Sequence, residues 1–193
     1  MKLLPLYTSC LLRSDALAGG PDITCDDRSC AMYRALAADV PQSVAYTYPR
    51  LLPLHAAPAA APAAPAPLRA SADKLSDTGV YLLENGVHML VWVGSQAPAQ
   101  FVRDVFGVAS PAHVDTQVAE LPALDSDASN AVRALLHHAR VRRRNAMRLD
   151  IVHQYDKREG MFRRLLVEDR GVDGSAAYTE HLLDTHKAVQ RLL

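Results

Sequence analysis

Between Val80 and Gly94 the chain reads VYLLENGVHMLVWVG. Two apolar runs flank an Asn-Gly pair, the dipeptide best suited to a two-residue type I′ hairpin turn. With Asn85 and Gly86 at the tip, the expected cross-strand pairs are Glu84 with Val87, Leu83 with His88, Leu82 with Met89, and Tyr81 with Leu90. Side chains alternate along a strand, so one face carries Val80, Leu82, Met89 and Val91. The other carries Tyr81, Leu83, Leu90 and Trp92. Both faces are apolar, and such a ribbon cannot lie with one side in water. It belongs in the middle of a sheet covered by helices on both sides.

Segments able to provide those covers follow in order. PAQFVRDVFG places Phe101, Val102, Val105 and Phe106 on one helical stripe, with Pro98 near its start and Gly107 at its end. SDASNAVRALLHHARVRRRNAM aligns Ala128, Val132, Leu135, Leu136 and Ala139 behind the capping candidates Asp125 and Ser126. MRLDIVHQ returns to alternation at Leu149, Ile151 and His153, as a further strand does. KREGMFRRLLVEDR and SAAYTEHLLDTHKAVQRLL read as amphipathic helices, the last aligning Tyr178, Leu182, His186, Val189 and Leu193.

Upstream, the first 54 residues have helical character, broken at GGPD. SCLLRSDAL and DDRSCAMYRALAADV place Leu11, Leu12 and Leu17, then Cys30, Met32, Tyr33, Leu36 and Val40, at three- and four-residue spacings. Pro41, Pro49 and Pro53 restrict any later helix there to one or two turns. Residues 55–72 are alanine and proline almost throughout, which predicts a semi-rigid, solvent-exposed linker with polyproline II character. A sheet sandwiched by helices, with helical pieces at both ends, is an α+β architecture. A chain of 193 residues can hold one good core, or one domain and an incomplete piece of another.

Bulk chemistry excludes more than it suggests. Basic and acidic residues balance at 21 each, so nothing in the charge favours nucleic acid. Cys10, Cys25 and Cys30 are odd in number and irregularly spaced, which fits free thiols in a reducing compartment rather than a disulfide framework or a zinc site. The opening MKLLPLYTSCLLRSDA is interrupted by Pro5 and by polar residues before a signal-peptide apolar region develops. No GxSxG elbow, HExxH pair or phosphate-cradling glycine loop occurs, so no catalytic residues are assigned and a non-enzymatic role is expected. His137 and His138 point in different directions on a helix, and His181 and His186 are five apart. Asp104, Asp115 and Glu120 are scattered candidates for calcium with no ligand loop, so no metal site is assigned. The Arg140–Arg144 run reads as a solvated helix C-terminus, or as a weak contact for acidic lipid or an acidic neighbour.

Several stretches together resemble one family. LPLYTSCLLRSDAL, DDRSCAMYRAL, YTYPRLLPLH, PAPLRASADKLSDTGVYLLENG, LVWVGSQ, FVRDVFGV, LPALDSDAS and LLVEDRGVDGSAAYTEHLL occur here in the order they take in the C-terminal portion of the cargo-adaptor subunit of the COPII vesicle coat, the Sec twenty-four family. The resemblance implies the end of a helical domain over residues 1–54, a linker over 55–72, a gelsolin-like domain over 73–155, and C-terminal helices over 156–193 packing back on the helical segment. It makes the hairpin residues Tyr81, Asn85, Gly86, Trp92 and Gly94 structural. It implies a coat component selecting cargo for endoplasmic reticulum to Golgi transport, cytoplasmic and peripheral on endoplasmic reticulum exit sites and COPII vesicles. The implied partners are the cytosolic tails of cargo and SNAREs, the endoplasmic reticulum membrane in peripheral contact, and the other inner-coat subunit through upstream domains that this sequence lacks. The family's zinc module also lies upstream, so no cofactor is expected here. A SNARE-peptide pocket bordering the gelsolin-like domain points to Met161, Phe162, Arg163 and Arg164. These could hold an apolar anchor and a carboxylate. The plainer reading makes Phe162, Leu165 and Leu166 simply a buried stripe. A gelsolin-like actin-binding module of the capping or severing class is the alternative, since the hairpin alone fits it.

Overall fold

A computed structural model describes residues 3–18, 23–56, 65–143 and 146–192. Three helices come first: α1 (Leu4–Leu12), α2 (Cys25–Ala37) and α3 (Val40–Thr47). Thr24 caps α2 by accepting the Asp27 N–H, and Asp39 caps α3 by accepting that of Gln42. Pro49 disfavours helical backbone at the preceding residue, and Tyr48 is extended with φ −128° and ψ 95°. The chain passes straight into β1 (Arg50–Pro53). This strand was not anticipated: its prolines mark an edge strand, where a missing N–H costs no ladder bond.

The sheet has the order β1-β2-β3-β4, with β2 (Val80–Glu84), β3 (Met89–Val93) and β4 (Leu149–His153). The first three strands run antiparallel, and β4 pairs parallel to β3. The parallel pair needs a crossover, supplied by α4 (Ala99–Phe106) and α5 (Asp127–Val141). Ser126 caps α5, accepting the Ser129 N–H. α6 (Glu159–Arg164) and α7 (Tyr178–Leu192) complete the chain.

The hairpin pairs Glu84 with Met89, Leu83 with Leu90, Leu82 with Val91, and Tyr81 with Trp92. The register expected from a two-residue turn is therefore displaced by two. A slip of two leaves every side chain on its own face, so the division of the faces is unchanged. The connection is four residues long. Asn85 Oδ1 accepts the N–H groups of Val87 at 3.0 Å and His88 at 2.8 Å, forming an Asx-type turn. Gly86 takes φ +81° while Asn85 stays out of the left-handed region, which rules out type I′.

One face of the sheet, with Leu52, Val80, Leu82, Met89, Val91 and Ile151, packs on Val102 and Val105 of α4 and Val132 and Leu136 of α5. The other face, with Leu51, Tyr81, Leu83, Leu90, Trp92 and Val152, packs on Phe162 and Leu166 and on Leu68, Ala72 and Leu75. Only part of that second cover is helical. The end of the expected linker is thus not a solvated spacer. Leu68 donates its N–H to Leu51 O at 2.8 Å, closing the outer edge of β1, and Ala70 is buried. Residues 57–64 of that segment lie outside the described residues.

Gly94 ends β3 for a steric reason. A Cβ there would come within 2.1 Å of Asp77 O. The helical segment behaves differently from the sheet. Leu11, Leu12, Leu17, Met32, Tyr33, Leu36 and Val40, read as periodic apolar positions, are all exposed. α7 meets α1, but no α7 side chain is buried, and Leu182 and Val189 are exposed. Leu193 lies outside the described residues.

Candidate functional site

The segment singled out for binding forms α6, which starts just beyond β4. The reversal from β4 into α6 is organised by one carboxylate. Glu159 Oε1 accepts the Trp92 indole N–H at 3.0 Å, and Oε2 accepts the backbone N–H of Tyr155 at 2.9 Å. Tyr155 is the non-glycine residue with positive φ, +68°, among those described. Arg163, one turn on, approaches Glu159 Oε1 at 2.9 Å. Burial pushes the Glu159 carboxyl up, but the hydrogen bonds from Trp92, Tyr155 and Arg163 outweigh it and hold the carboxyl below its ordinary value.

This arrangement separates the four sequence candidates. Phe162 is fully buried and stacks on Trp92 with ring centroids 6.2 Å apart. It cannot serve as a surface anchor, because it faces the core, as the stripe reading had it. Met161, its neighbour on α6, is 42% exposed. Arg163 is engaged by Glu159, and Arg164 reaches back to Asp15 in the segment after α1. Both arginine side chains remain close to half exposed.

The residues that follow, Leu165–Arg170, form a junction that periodicity did not reveal. Arg13 Nη1 donates to Val167 O at 2.7 Å and Asp169 O at 2.6 Å. The Glu168 carboxylate accepts from Tyr48 and pairs with Arg69. Asp169 accepts from Ser71 Oγ at 2.6 Å and from the Ala72 N–H at 2.8 Å. Leu166 anchors the segment to the sheet. The LLVEDR stretch therefore ties α1, the entry to β1 and residues 69–72 together. Its two acids are consumed within the fold.

Comparison with known proteins bears directly on this junction. Family models for the Sec23/Sec24 helical domain and the gelsolin repeat match residues 1–45 and 63–136. Over all 193 residues the chain is 39% identical to human protein transport protein Sec24C and 35% identical to human Sec24D. It spans 18% and 19% of those proteins. The crystal structure of the human COPII-coat protein Sec24c superimposes over the whole chain with a TM-score of 0.90, and the chain covers 25% of it. The chain belongs to the Sec24 family. It spans about a fifth of the length of the curated relatives it matches, over their gelsolin-like region and the flanking helices.

In this Sec24 chain the arginine run at the end of α5 is partly drawn into the fold, while Arg142 stays exposed. Arg143 turns inward, its side chain only 7% exposed, and binds Glu84 Oε1 at 2.8 Å. Glu84 is completely buried, also pairs with Arg50, and accepts the Gly86 N–H at 3.1 Å. Burial raises the Glu84 carboxyl, but Arg143 and Arg50 more than reverse this and hold it low. Arg140 donates to Met147 O at 3.1 Å. Arg144 lies outside the described residues. Of the three acids weighed for calcium, Asp104 accepts from Gln100, Asp115 from the Gln117 N–H, and Glu120 stands 3.8 Å from Arg140. Among the described residues no three His, Cys, Asp or Glu side chains gather to hold a metal ion, and no helix is long and apolar enough to cross a membrane.

Proposed function

We propose that the chain acts without catalysis as part of a COPII-type coat, selecting cargo and helping to form vesicles for endoplasmic reticulum to Golgi transport. The observation that carries the reading is superposition of the whole chain on a quarter of the human COPII-coat protein Sec24c, at a TM-score of 0.90 and 39% identity. A tight structural core with polar groups committed to scaffolding leaves the outer surfaces to binding. The partners are sorting signals on the cytosolic tails of cargo and SNAREs, together with the other inner-coat subunit. The site of action is cytoplasmic, peripheral on membranes at endoplasmic reticulum exit sites. On α6 a signal would meet Met161 first, and Arg163 and Arg164 through their solvent-facing sides.

The test is to express the tagged chain in cells and ask whether it concentrates at exit sites and co-precipitates cargo proteins through their cytosolic tails. Enrichment on both counts is expected. An even cytosolic spread beside a punctate exit-site marker would overturn the reading. The gelsolin-repeat match describes a sheet with its covering helices and carries no actin function of its own. A pelleting assay with filamentous actin, with and without calcium, is expected to leave the chain in the supernatant.

A further inference from the structure

The hairpin tip carries a reactive dipeptide as well as a turn. An asparagine amide has an electrophilic carbonyl carbon, and the backbone nitrogen of the next residue is placed to attack it. Glycine at that next position has no side chain to bar the approach, so Asn85-Gly86 is the context in which ring closure is easiest. Asn130 and Asn145 are each followed by alanine, whose Cβ hinders the same attack.

The fold acts on both reacting groups. Asn85 Oδ1 accepts the N–H groups of Val87 at 3.0 Å and His88 at 2.8 Å. Two donors on one carbonyl oxygen polarise it toward attack, as an oxyanion hole does. The Gly86 N–H, which must give up its proton, instead donates to Glu84 Oε2 at 3.1 Å. That oxygen also receives Arg143 Nε at 3.2 Å, while Oε1 receives Arg143 Nη2 at 2.8 Å and pairs with Arg50. Glu84 is thus pinned as an anion and, with its carboxyl held low, is a poor base. Its charge opposes the negative charge that the Gly86 nitrogen must develop in order to attack. Asn85 is itself only 4% exposed, which keeps water from the carboxamide. The electrophile is primed and the nucleophile is restrained.

We propose that Asn85-Gly86 is a site of spontaneous deamidation, held closed in the folded hairpin by the Glu84 carboxylate and released when the tip leaves that carboxylate. In the reaction the Gly86 nitrogen bonds to Asn85 Cγ. The Asn85 amide group leaves with the Gly86 proton as ammonia, and a five-membered succinimide remains. Water then opens the ring. Addition at Cγ gives an aspartyl residue in place of Asn85, and addition at the main-chain carbonyl carbon gives isoaspartate. In isoaspartate the main chain runs through Cβ and Cγ and is one carbon longer. The former side-chain oxygen is then a backbone oxygen, so the Asx-type turn and the register it sets are lost. The modification is a permanent mark of a tip that has opened. It is independent of any role of the chain in a coat.

The test is to age the full chain at neutral pH beside the acetylated peptide amide Leu-Glu-Asn-Gly-Val and to follow amide-to-acid conversion by mass spectrometry of the tryptic peptide containing Asn85. The folded chain should convert at least about tenfold more slowly than the peptide, and urea should bring it to the peptide's rate. Under folding conditions Glu84→Gln, which removes the charge, should convert severalfold faster than the parent chain. Glu84→Asp, which keeps the charge among the arginines but draws it back from Gly86, should also convert faster and guards against a glutamine variant that does not fold. Gly94→Ala, which weakens the far end of β3, should keep the parent rate. Conversion of the folded chain at the peptide's rate overturns the proposal, as does a urea-unfolded chain that stays intact at Asn85. Glu84 variants no faster than the parent, or Gly94→Ala as fast as they are, overturn the part assigned to Glu84.

Discussion

The Glu159 carboxylate accepts the indole N–H of Trp92 at 3.0 Å and joins the centre of the sheet to the start of α6. Two further donors, the Tyr155 N–H and Arg163, share that carboxylate. Glu159→Ala would strand a buried indole N–H and release the left-handed Tyr155. A loss of about 2–4 kcal/mol is expected, and Glu159→Gln, which keeps an acceptor, should lose less. Trp92 is the chain's one tryptophan, so its fluorescence in a urea titration reports the change at the site itself.

Glu84 offers a harsher case. It is fully buried between Arg50 and Arg143, and neither guanidinium has another carboxylate partner among the described residues. Glu84→Ala would leave buried positive charge uncompensated, at a cost of about 3–5 kcal/mol. Arg143→Ala strands less, because Arg50 still neutralises Glu84, and should destabilise by a smaller amount. Equal losses in the two variants, measured by chemical denaturation, would show that the clamp acts through Arg143 alone.

Acid sensitivity follows from the same two carboxylates. Both have folded-state values below the ordinary one, so the unfolded chain binds their protons more readily. Their contribution is present above the ordinary carboxylate range and is lost as pH falls through it toward the lower folded values. The denaturation midpoint should hold steady near neutrality and drop below about pH 5. Glu84→Gln should flatten that drop while lowering the plateau. A midpoint indifferent to pH down to the carboxylate range would refute the assignment.

What could be read in the sequence was whatever repeats locally. Alternation put Val80, Leu82, Met89 and Val91 on one face of the hairpin, and the three-four spacing put Val102, Val105, Val132 and Leu136 against it. The register escaped because Asn-Gly read as a complete turn, whereas the four-residue loop is stabilised by Asn85 Oδ1 and by Glu84, whose partners lie 34 and 59 residues away. β1 escaped because prolines at both its ends imitate a loop. The fate of Phe162 was readable as a stripe, but that Arg163 and Arg164 were already engaged depended on Glu159 and Asp15, and the distance to Asp15 is set by the fold.

Gly94 gives a test of close packing. Any Cβ there meets Asp77 O at 2.1 Å and Gly79 O at 2.9 Å, both backbone atoms that cannot rotate away. Gly94→Ala must push the end of β3 from the residues before β2. That change should cost about 1–3 kcal/mol in urea unfolding, with amide shifts centred on Asp77–Gly79 rather than spread through the core. A neutral substitution would mean that the Asp77–Gly79 segment yields freely.

Arg13 decides whether the helical segment and the sheet unfold as one unit. Its guanidinium satisfies the carbonyls of Val167 and Asp169, and with the Asp15–Arg164 pair it holds the end of α1 to the junction after α6. Cys10, one turn earlier, has its thiol pushed up to about 11 by burial and so adds no charge to the contact. Because α1 contributes no side chain to either face of the sheet, Arg13→Ala should loosen α1 while leaving the core intact. Amides of α1 should exchange about tenfold faster or more, with the Trp92 unfolding midpoint nearly unmoved. Arg13→Lys should recover only part of the protection, since one ammonium cannot reproduce the forked reach of the guanidinium. If exchange instead accelerates equally in α1 and β3, the helices and sheet form a single cooperative unit, and the junction at Leu165–Arg170 is what couples them.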